Sequence, residues 1–181
     1  MVKFIAEVSS NHHRDLSRAY EFINAAARSG CSAVKFQLFK VEQLFSPEIL
    51  EHSEKHRQRK EWELPLEFVP KLAQHCTNQG IEFSCTPFYL DAVSELEPYV
   101  AFYKIASYEL LWDDLLAACA NTGKPVIIST GMATMSEIHH AVGVLKKNNC
   151  SDLTILHCTS AYPTPYEEAN LAAIKTIHLA T

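Results

Sequence analysis

Short runs of apolar, β-branched and aromatic residues alternate along the chain with longer segments in which apolar residues recur at helical spacing. The first pair predicts a strand at Phe4–Val8 and a helix at Leu16–Ser29, which Gly30 ends. The same unit then recurs to the end of the chain. Five further strands are predicted at Ala33–Leu38, Ile81–Ser84, Ala101–Ile105, Pro125–Ser129 and Leu153–His157.

Helical patterns separate these strands. The segment from Thr134 to Glu137 has the spacing of a capping box and predicts the beginning of the helix after the fifth strand. The other helices are predicted at Ser46–Lys60, Leu66–Asn78, Leu90–Leu96, Asp113–Asn121 and Glu167–His178.

Strands that alternate with helices pair in parallel through right-handed crossovers. Two architectures fit: a doubly wound open sheet, or a (β/α)8 TIM barrel of which only about six of the eight units are present, since a complete barrel takes about 250 residues. Polar residues end every predicted strand, as expected when all strands contribute to one ring, and no glycine-rich phosphate loop follows the first strand. We therefore predict the α/β barrel.

Composition narrows the class of protein. The 181 residues are 48% hydrophobic and 20% charged, with a formal net charge of −5, which predicts one globular domain with a real core and no nucleic-acid or anionic-membrane partner. The apolar runs are shorter than the roughly 18 residues of a membrane span, and the first residues lack a secretory signal pattern, so we expect a cytoplasmic protein. Six cysteines without a CxxC pair are expected to be reduced core thiols.

Two lysines at predicted strands, Lys35 and Lys104, are the first candidates for a functional site. With the hydroxyl groups of Thr86, Ser107 and Ser129 they would suit a phosphate or a carboxylate. Two other interpretations stay open. Each lysine could form a structural ion pair with Glu7 or Glu109, or one lysine could form a Schiff base, as in aldolases on this fold.

The two glutamates have several interpretations. Glu7 and Glu109 could orient a sugar hydroxyl, hold a metal-bound water, move a proton, or neutralise the lysines. His12 is expected to face the site, whereas His157 is expected to be a hydrogen-bonded core residue and not a metal ligand.

Several motifs in order along the chain resemble the sialic acid synthase family, also called the nonulosonic acid synthases. They are Ile5-Ala6-Glu7 through Asn11-His12, Val34 to Gln37, Ser84 to Phe88, Tyr103 to Ser107, Ile128 to Met132 and Leu156 to Pro163. The resemblance implies a barrel enzyme that condenses phosphoenolpyruvate with an N-acylated hexosamine such as N-acetylmannosamine, releases phosphate and makes a nine-carbon 2-keto sugar acid.

The resemblance also implies roles for single residues. Phosphoenolpyruvate would be bound by Lys35, Thr86, Lys104, Ser107 and Ser129. Glu7 and Glu109 would be the catalytic carboxylates around the sugar, and Ser160 and Tyr162 would bind it. A divalent metal, Mn²⁺ or Mg²⁺, would polarise the sugar aldehyde, and the full-length protein would be a homodimer.

The chain departs from the family pattern in three ways. The glycines that flank the Asn-His motif are replaced by Ser9, Ser10, His13 and Arg14. Residues 106–109 resemble the pseudaminic acid branch, whereas residues 158–162 resemble the sialic acid branch, so the acceptor sugar is open.

The third departure is length. We expect a synthase barrel domain over residues 1–181 that lacks the last two βα units, with their metal-binding histidines, and the C-terminal antifreeze-like domain, so no metal ligands are assigned in this chain. Two other classes remain: a catalytically silent module that binds an anion or a sugar, and a Schiff-base sugar aldolase with Lys104 as the nucleophile.

Overall fold

The backbone of residues 2–181, the part that the computed structural model describes, forms two compact units. The first extends to Ala101 and the second is Phe102–Thr181. Each unit contains three parallel strands in sequence order, separated by helices. The predicted alternation of strands and helices is therefore confirmed.

The three strands of the first unit are β1 (Ile5–Ser9), β2 (Ala33–Leu38) and β3 (Glu82–Pro87). Parallel pairing places Lys35 of β2 between Glu7 of β1 and Ser84 of β3. Because side chains alternate between the two faces of a strand, Phe36 points to the face opposite Lys35, where it is fully buried.

Six α-helices follow in the first unit. They are α1 (Leu16–Arg28), α2 (Val41–Leu44), α3 (Pro47–His52), α4 (Glu54–Arg57), α5 (Val69–Asn78) and α6 (Asp91–Leu96). Helix α1 begins at a cap in which the Asp15 carboxylate accepts hydrogen bonds from the backbone N–H groups of Ser17 and Arg18. It buries Ala19, Ile23 and Ala26.

The single helix predicted for Ser46–Lys60 is wrong. The segment is divided into α3, α4 and a 3₁₀ turn at Gln58–Trp62, because Ser53 is extended and its hydroxyl group bonds to His56 Nδ1 at 2.6 Å. None of these three pieces has a buried residue, so no packing interaction holds them in one continuous helix. Helix α2 was not predicted.

The second unit contains the strands β4 (Phe102–Ile105), β5 (Val126–Ser129) and β6 (Leu153–Leu156). Its helices are α7 (Asp113–Asn121), α8 (Met135–Lys147) and α9 (Ala173–Ala180). The predicted capping box is confirmed, with the side chains of Thr134 and Glu137 each bonded to the other residue's backbone. Tyr103, Ile105, Leu115 and Ile128 are fully buried and form part of the core.

The last helix begins later than the predicted Glu167. A 3₁₀ turn at Tyr166–Glu168 comes first, and Asn170 has a positive φ of 41°, which ends regular helical geometry before α9. Strand β3 also continues three residues beyond the predicted Ser84. All six cysteines are free, and no helix within residues 2–181 is long and apolar enough to cross a membrane.

Candidate functional site

A carboxylate and an ammonium group meet on β1 and β2 of the first unit. Glu7 and Lys35 are register partners, and their side chains form an ion pair. The Lys35 side chain is only 12% exposed, whereas that of Glu7 is 41% exposed. Gln37, two residues further along β2, donates an amide hydrogen bond to Glu7 Oε1 at 3.3 Å. The ion-pair interpretation of Lys35 therefore holds in this structure, and its carboxylate partner remains open to solvent.

Strand β3 adds buried hydroxyl groups beside this pair. Ser84 is aligned with Lys35, and Thr86 is aligned with Gln37. Both hydroxyl residues are almost fully buried. Aligned residues of neighbouring strands point to the same face, so Thr86, a predicted site residue, shares its face with Lys35. Ser84 and Gln37 were not among the predicted site residues, although their alternation with buried apolar residues was visible in the sequence.

His12 does not join this cluster, which corrects the expectation that it faces the site. Its ring lies near that of Phe36, with the ring centroids 6.3 Å apart, and Phe36 is the residue of β2 that points to the face opposite Lys35. His12 Nδ1 accepts a hydrogen bond from the backbone N–H of Arg14 at 3.0 Å. Burial lowers the pKa of His12 to about 4, so the ring is neutral at physiological pH and stabilises the turn after β1.

Lys104, on β4, is the central charged group of the second unit. Its ammonium group donates hydrogen bonds to Ser129 Oγ at 2.5 Å and to the carbonyl oxygen of Ile105 at 2.8 Å. Burial lowers the pKa of Lys104 to about 8, against the opposing influence of Cys158 and Glu109. Within residues 2–181 no carboxylate forms an ion pair with Lys104, so the structural ion pair considered for this lysine is absent there.

Glu109 lies in a 3₁₀ turn after β4 and is half-buried. Its Oε2 atom is buried and has no hydrogen-bond partner among the described residues. Burial raises the pKa of the Glu109 carboxyl group, opposed by a hydrogen bond from its own backbone and by the charge of Lys104. The carboxyl group is thus positioned to exchange a proton and to accept a hydrogen bond from a ligand.

Ser107 and Ser160 converge on Gly131, which follows β5. The backbone N–H of Gly131 donates to Ser107 Oγ at 3.2 Å. A Cβ atom at position 131 would overlap Ser160 Oγ and lie 3.0 Å from Ser107 Oγ. Two predicted site residues are therefore brought together, and the absence of a side chain at Gly131 is what makes room for both hydroxyl groups.

Cys158 is a site neighbour that the sequence did not reveal, because it was interpreted as a core thiol. Its side chain is half-buried, and its Sγ atom lies 3.3 Å from Ser129 Oγ. Its signals in the sequence were its place just after the sixth strand, where polar residues gather, and its inclusion in the family-like motif from Leu156 to Pro163.

The remaining candidates lie further from these contacts. Tyr162 is 96% exposed, so the structure does not bring its ring into a cluster of side chains. His157 Nε2 bonds to the carbonyl oxygen of Ala169 at 2.8 Å, which confirms the predicted hydrogen bond, but the residue is half-buried and not part of the core.

The residues present do not fit a divalent metal. Among residues 2–181, no three His, Cys, Asp or Glu side chains are grouped as a metal site requires. Lysines and hydroxyl groups dominate instead, and they are donors suited to anions.

Residues 22–180 match the model of the NeuB family. The chain belongs to the NeuB family. The relatives of this chain include an N,N'-diacetyllegionaminic acid synthase of Campylobacter jejuni, which is 37% identical over 96% of this chain and 56% of that protein. The resemblance to the nonulosonic acid synthases is thereby confirmed.

Two further relatives of this NeuB family member are informative. An uncharacterised protein of Methanocaldococcus jannaschii is 42% identical over 96% of this chain and 50% of its own length. A solved relative is the N-acetylneuraminic acid synthetase of Leptospira borgpetersenii, crystallised in complex with citrate, whose sequence is 35% identical. Its structure superposes with a TM-score of 0.92 and covers 99% of this chain and 62% of that one. The chain spans about half the length of the curated relatives that it matches. The predicted fold class is confirmed as a partial (β/α) barrel, and the doubly wound alternative is wrong.

Proposed function

We propose that this chain is the barrel part of a nonulosonic acid synthase that condenses phosphoenolpyruvate with an N-acylated hexosamine and releases phosphate. Membership of the NeuB family supports a sugar-acid synthase. The observation that supports an anionic substrate is the environment of Lys104, a buried ammonium group whose hydrogen-bond partners are neutral. A buried cation without a counter-ion is costly, so a phosphate or carboxylate oxygen bound there would be strongly favoured.

The proposed residue roles are those that the family resemblance implies. Phosphoenolpyruvate is bound by Lys35, Thr86, Lys104, Ser107 and Ser129, whose ammonium and hydroxyl groups all donate to phosphate and carboxylate oxygens. Ser160 and Tyr162 bind the acceptor sugar.

The proposed reaction forms one carbon–carbon bond. C3 of phosphoenolpyruvate attacks the aldehyde carbon of the open-chain sugar, and the aldehyde oxygen takes up a proton. Water adds at C2, and the bond between C2 and the phosphate oxygen breaks, which releases inorganic phosphate and leaves a 2-keto acid.

Glu109 and Glu7 are the proposed catalytic carboxylates. Glu109 is the better candidate for proton transfer, because burial raises its pKa and its Oε2 atom has no partner among the described residues. Glu7 is ion-paired with Lys35 and more exposed, which suits an acceptor of sugar hydroxyl hydrogen bonds.

Three further properties are proposals for the full-length protein. We expect a cytoplasmic homodimer, and we expect a requirement for Mn²⁺ or Mg²⁺. The metal ligands would come from residues other than those of this chain.

The test is phosphate release from phosphoenolpyruvate in the presence of Mn²⁺. N-acetylmannosamine and the amino-sugar precursors of pseudaminic and legionaminic acid are offered in parallel, both to this chain and to any longer product of the same reading frame. Release that depends on one sugar is the expected result, and it identifies the acceptor. Silence from both proteins with retained binding of phosphoenolpyruvate would favour the silent binding module instead.

A matched pair of variants makes the assignment specific. Lys104→Met removes the buried charge, whereas Lys55→Met removes an exposed one on α4. We expect the first to abolish sugar-dependent phosphate release and the second to leave it unchanged. Loss of release in both variants would show that the assay responds to general damage.

One observation favours a second function, the Schiff-base aldolase. A lysine whose pKa is lowered to about 8 has a larger neutral, nucleophilic fraction near neutral pH than an ordinary lysine. Borohydride reduction with a ketose substrate would link the substrate covalently to Lys104 of an aldolase. A synthase leaves the protein mass unchanged.

A further inference from the structure

We propose that Cys158 is a positioning residue whose thiol orients the Ser129 hydroxyl group so that the hydroxyl proton points toward the bound anion. The inference rests on the proposed function, in which Ser129 contacts phosphoenolpyruvate. It extends that function to a residue that makes no contact with substrate itself.

Lys104 and Ser129 form a hydrogen bond whose direction is known. A lysine ammonium group has donors and no acceptor, so Ser129 Oγ must accept the 2.5 Å hydrogen bond from Lys104 Nζ. This contact occupies one of the two lone pairs of the hydroxyl oxygen. The direction of the bond is thus fixed by chemistry and does not depend on where the serine proton lies.

The second contact of this hydroxyl group is with Cys158. Its Sγ atom lies 3.3 Å from Ser129 Oγ, whereas the carbonyl oxygen of Leu156 is 3.8 Å away. The hydroxyl oxygen is therefore the nearer of these acceptors for the thiol proton. With Lys104 and Cys158 both donating, the two lone pairs of Ser129 Oγ are occupied.

What remains is the proton of the Ser129 hydroxyl group. Ser129 is 6% exposed, and its hydroxyl donates to no acceptor among the described residues. A buried donor without an acceptor is costly, so the proton is held for an incoming oxygen. The Cys158 thiol prevents the hydroxyl from rotating to donate elsewhere, which leaves the ligand as its acceptor.

The hydrogen bond itself is tested by infrared spectroscopy of the S–H stretch. The spectrum of the Cys158→Ala variant, subtracted from that of the unmodified protein, isolates the Cys158 band from those of the other five cysteines. We expect this band at the lowered frequency of a donating thiol, and Ser129→Ala should shift it to a higher frequency, because the remaining acceptor, the carbonyl oxygen of Leu156, is further away at 3.8 Å. A band that starts at the unbonded frequency, or that Ser129→Ala leaves in place, overturns the proposal.

The consequence for binding is tested by titrating phosphoenolpyruvate, and separately inorganic phosphate, into the protein in a calorimeter. Loss of one neutral hydrogen bond predicts roughly 3- to 10-fold weaker binding of phosphoenolpyruvate by Cys158→Ala. Cys158→Ser keeps a donor at the position and should restore the affinity. Cys150→Ala, a change at another half-exposed thiol of the same unit, should bind as the unmodified protein does.

These measurements separate the inference from the function on which it rests. Unchanged binding by Cys158→Ala, in an unmodified protein that binds phosphoenolpyruvate, overturns the inference and leaves the proposed function intact. Weaker binding that Cys158→Ser does not restore also overturns it, because a merely structural role would explain that result. If the unmodified protein binds neither anion, the positioning role fails together with the proposed function, whatever the infrared band shows.

Discussion

Because the ammonium group of Lys104 is buried, the protein should become more stable as the pH rises above about 8. The pKa of Lys104 is about 8 in the folded chain against an ordinary value of 10.5. Between these values the folded lysine has lost its proton while the unfolded lysine keeps it, so the free energy of unfolding rises with pH. The shift corresponds to a gain of about 3 kcal/mol across that interval.

The measurement is urea denaturation of the unmodified protein and of Lys104→Met at several pH values from 7 to 10.5. The methionine variant removes the cost of burying the charge, so it should be the more stable protein at pH 7, and its advantage should shrink by about 3 kcal/mol as pH rises. Lys147→Met changes an exposed lysine on α8 and controls for general loss of charge. An advantage of Lys104→Met that is constant across the range would contradict the assigned pKa.

A side chain at position 131 should cause a clash that a rotation of Ser160 can relieve. The Cβ atom of Gly131→Ala would overlap Ser160 Oγ, which is the free end of a small side chain. We expect the variant to fold with a modest loss of stability, about 1 kcal/mol, because Ser160 can rotate away. Adding Ser160→Ala should recover most of that loss.

The measurement for Gly131 is a double-mutant cycle on the free energy of unfolding and on the affinity for the acceptor sugar. A positive coupling between the two positions is expected, since they are in contact. Additive effects would indicate that the clash at position 131 is with another group, such as Ser107 Oγ at 3.0 Å.

The turn between β1 and α1 keeps a backbone that suits glycine although it contains none. Ser9, His13 and Arg14 have φ values of 52°, 49° and 55°. These lie in the left-handed region, which costs roughly 1 kcal/mol for a residue with a side chain. Three of the four residues for which the family resemblance implies flanking glycines thus have the left-handed backbone that glycine favours.

Substituting glycine at the exposed His13 should stabilise the protein by about 0.5 to 1 kcal/mol, because the relief of strain exceeds the added entropy of the unfolded chain. Ser10→Gly is the matched control, since Ser10 is in the same turn without a positive φ, and it should destabilise the protein slightly. Thermal or urea unfolding of the two variants measures both effects. Equal destabilisation by both glycines would mean that the backbone at His13 is unstrained.

The elements that could be predicted from sequence are those in which local pattern and tertiary packing agree. Strand β2 alternates Lys35 and Gln37 with buried Phe36 and Leu38, and α8 begins at a capping box, so both were predictable. The segment between β2 and α5 was not, because α3 and α4 bury no residues and the helix is interrupted at Ser53, which is extended and whose hydroxyl group bonds to the His56 ring.

The candidate site divides in the same way. Lys35, Lys104 and the hydroxyl residues could be found because a charged or polar residue in a buried strand is conspicuous. The roles of Gly131 and Cys158 could not, because an empty space and a 3.3 Å thiol contact depend on how separate loops meet. His12 was misplaced since periodicity ends with β1, and the turn after it determines where the ring lies.

Each of the two units has a largely buried lysine, and the two lysines have different partners. In the first, the Lys35 charge is balanced by Glu7. In the second, Lys104 has a serine hydroxyl and a carbonyl group for partners, and its pKa falls. An arriving anion would therefore gain more from Lys104, which has no ion-pair partner among residues 2–181, whereas at Lys35 it must compete with a carboxylate.

Ligand binding should accordingly raise the stability of the whole protein through both lysines, and unequally. A ligand that binds only the folded state stabilises it by about 2.7 kcal/mol at a hundred times its dissociation constant.

We expect phosphoenolpyruvate to raise the melting temperature of the unmodified protein and of Lys55→Met, an exposed control. Lys104→Met should abolish the rise, whereas Lys35→Met should reduce it less, because Glu7 already competes with the anion for the Lys35 ammonium group. Scanning calorimetry with and without the ligand measures all four proteins. A larger loss in Lys35→Met than in Lys104→Met would mean that the compensated lysine, and not the desolvated one, supplies most of the binding energy.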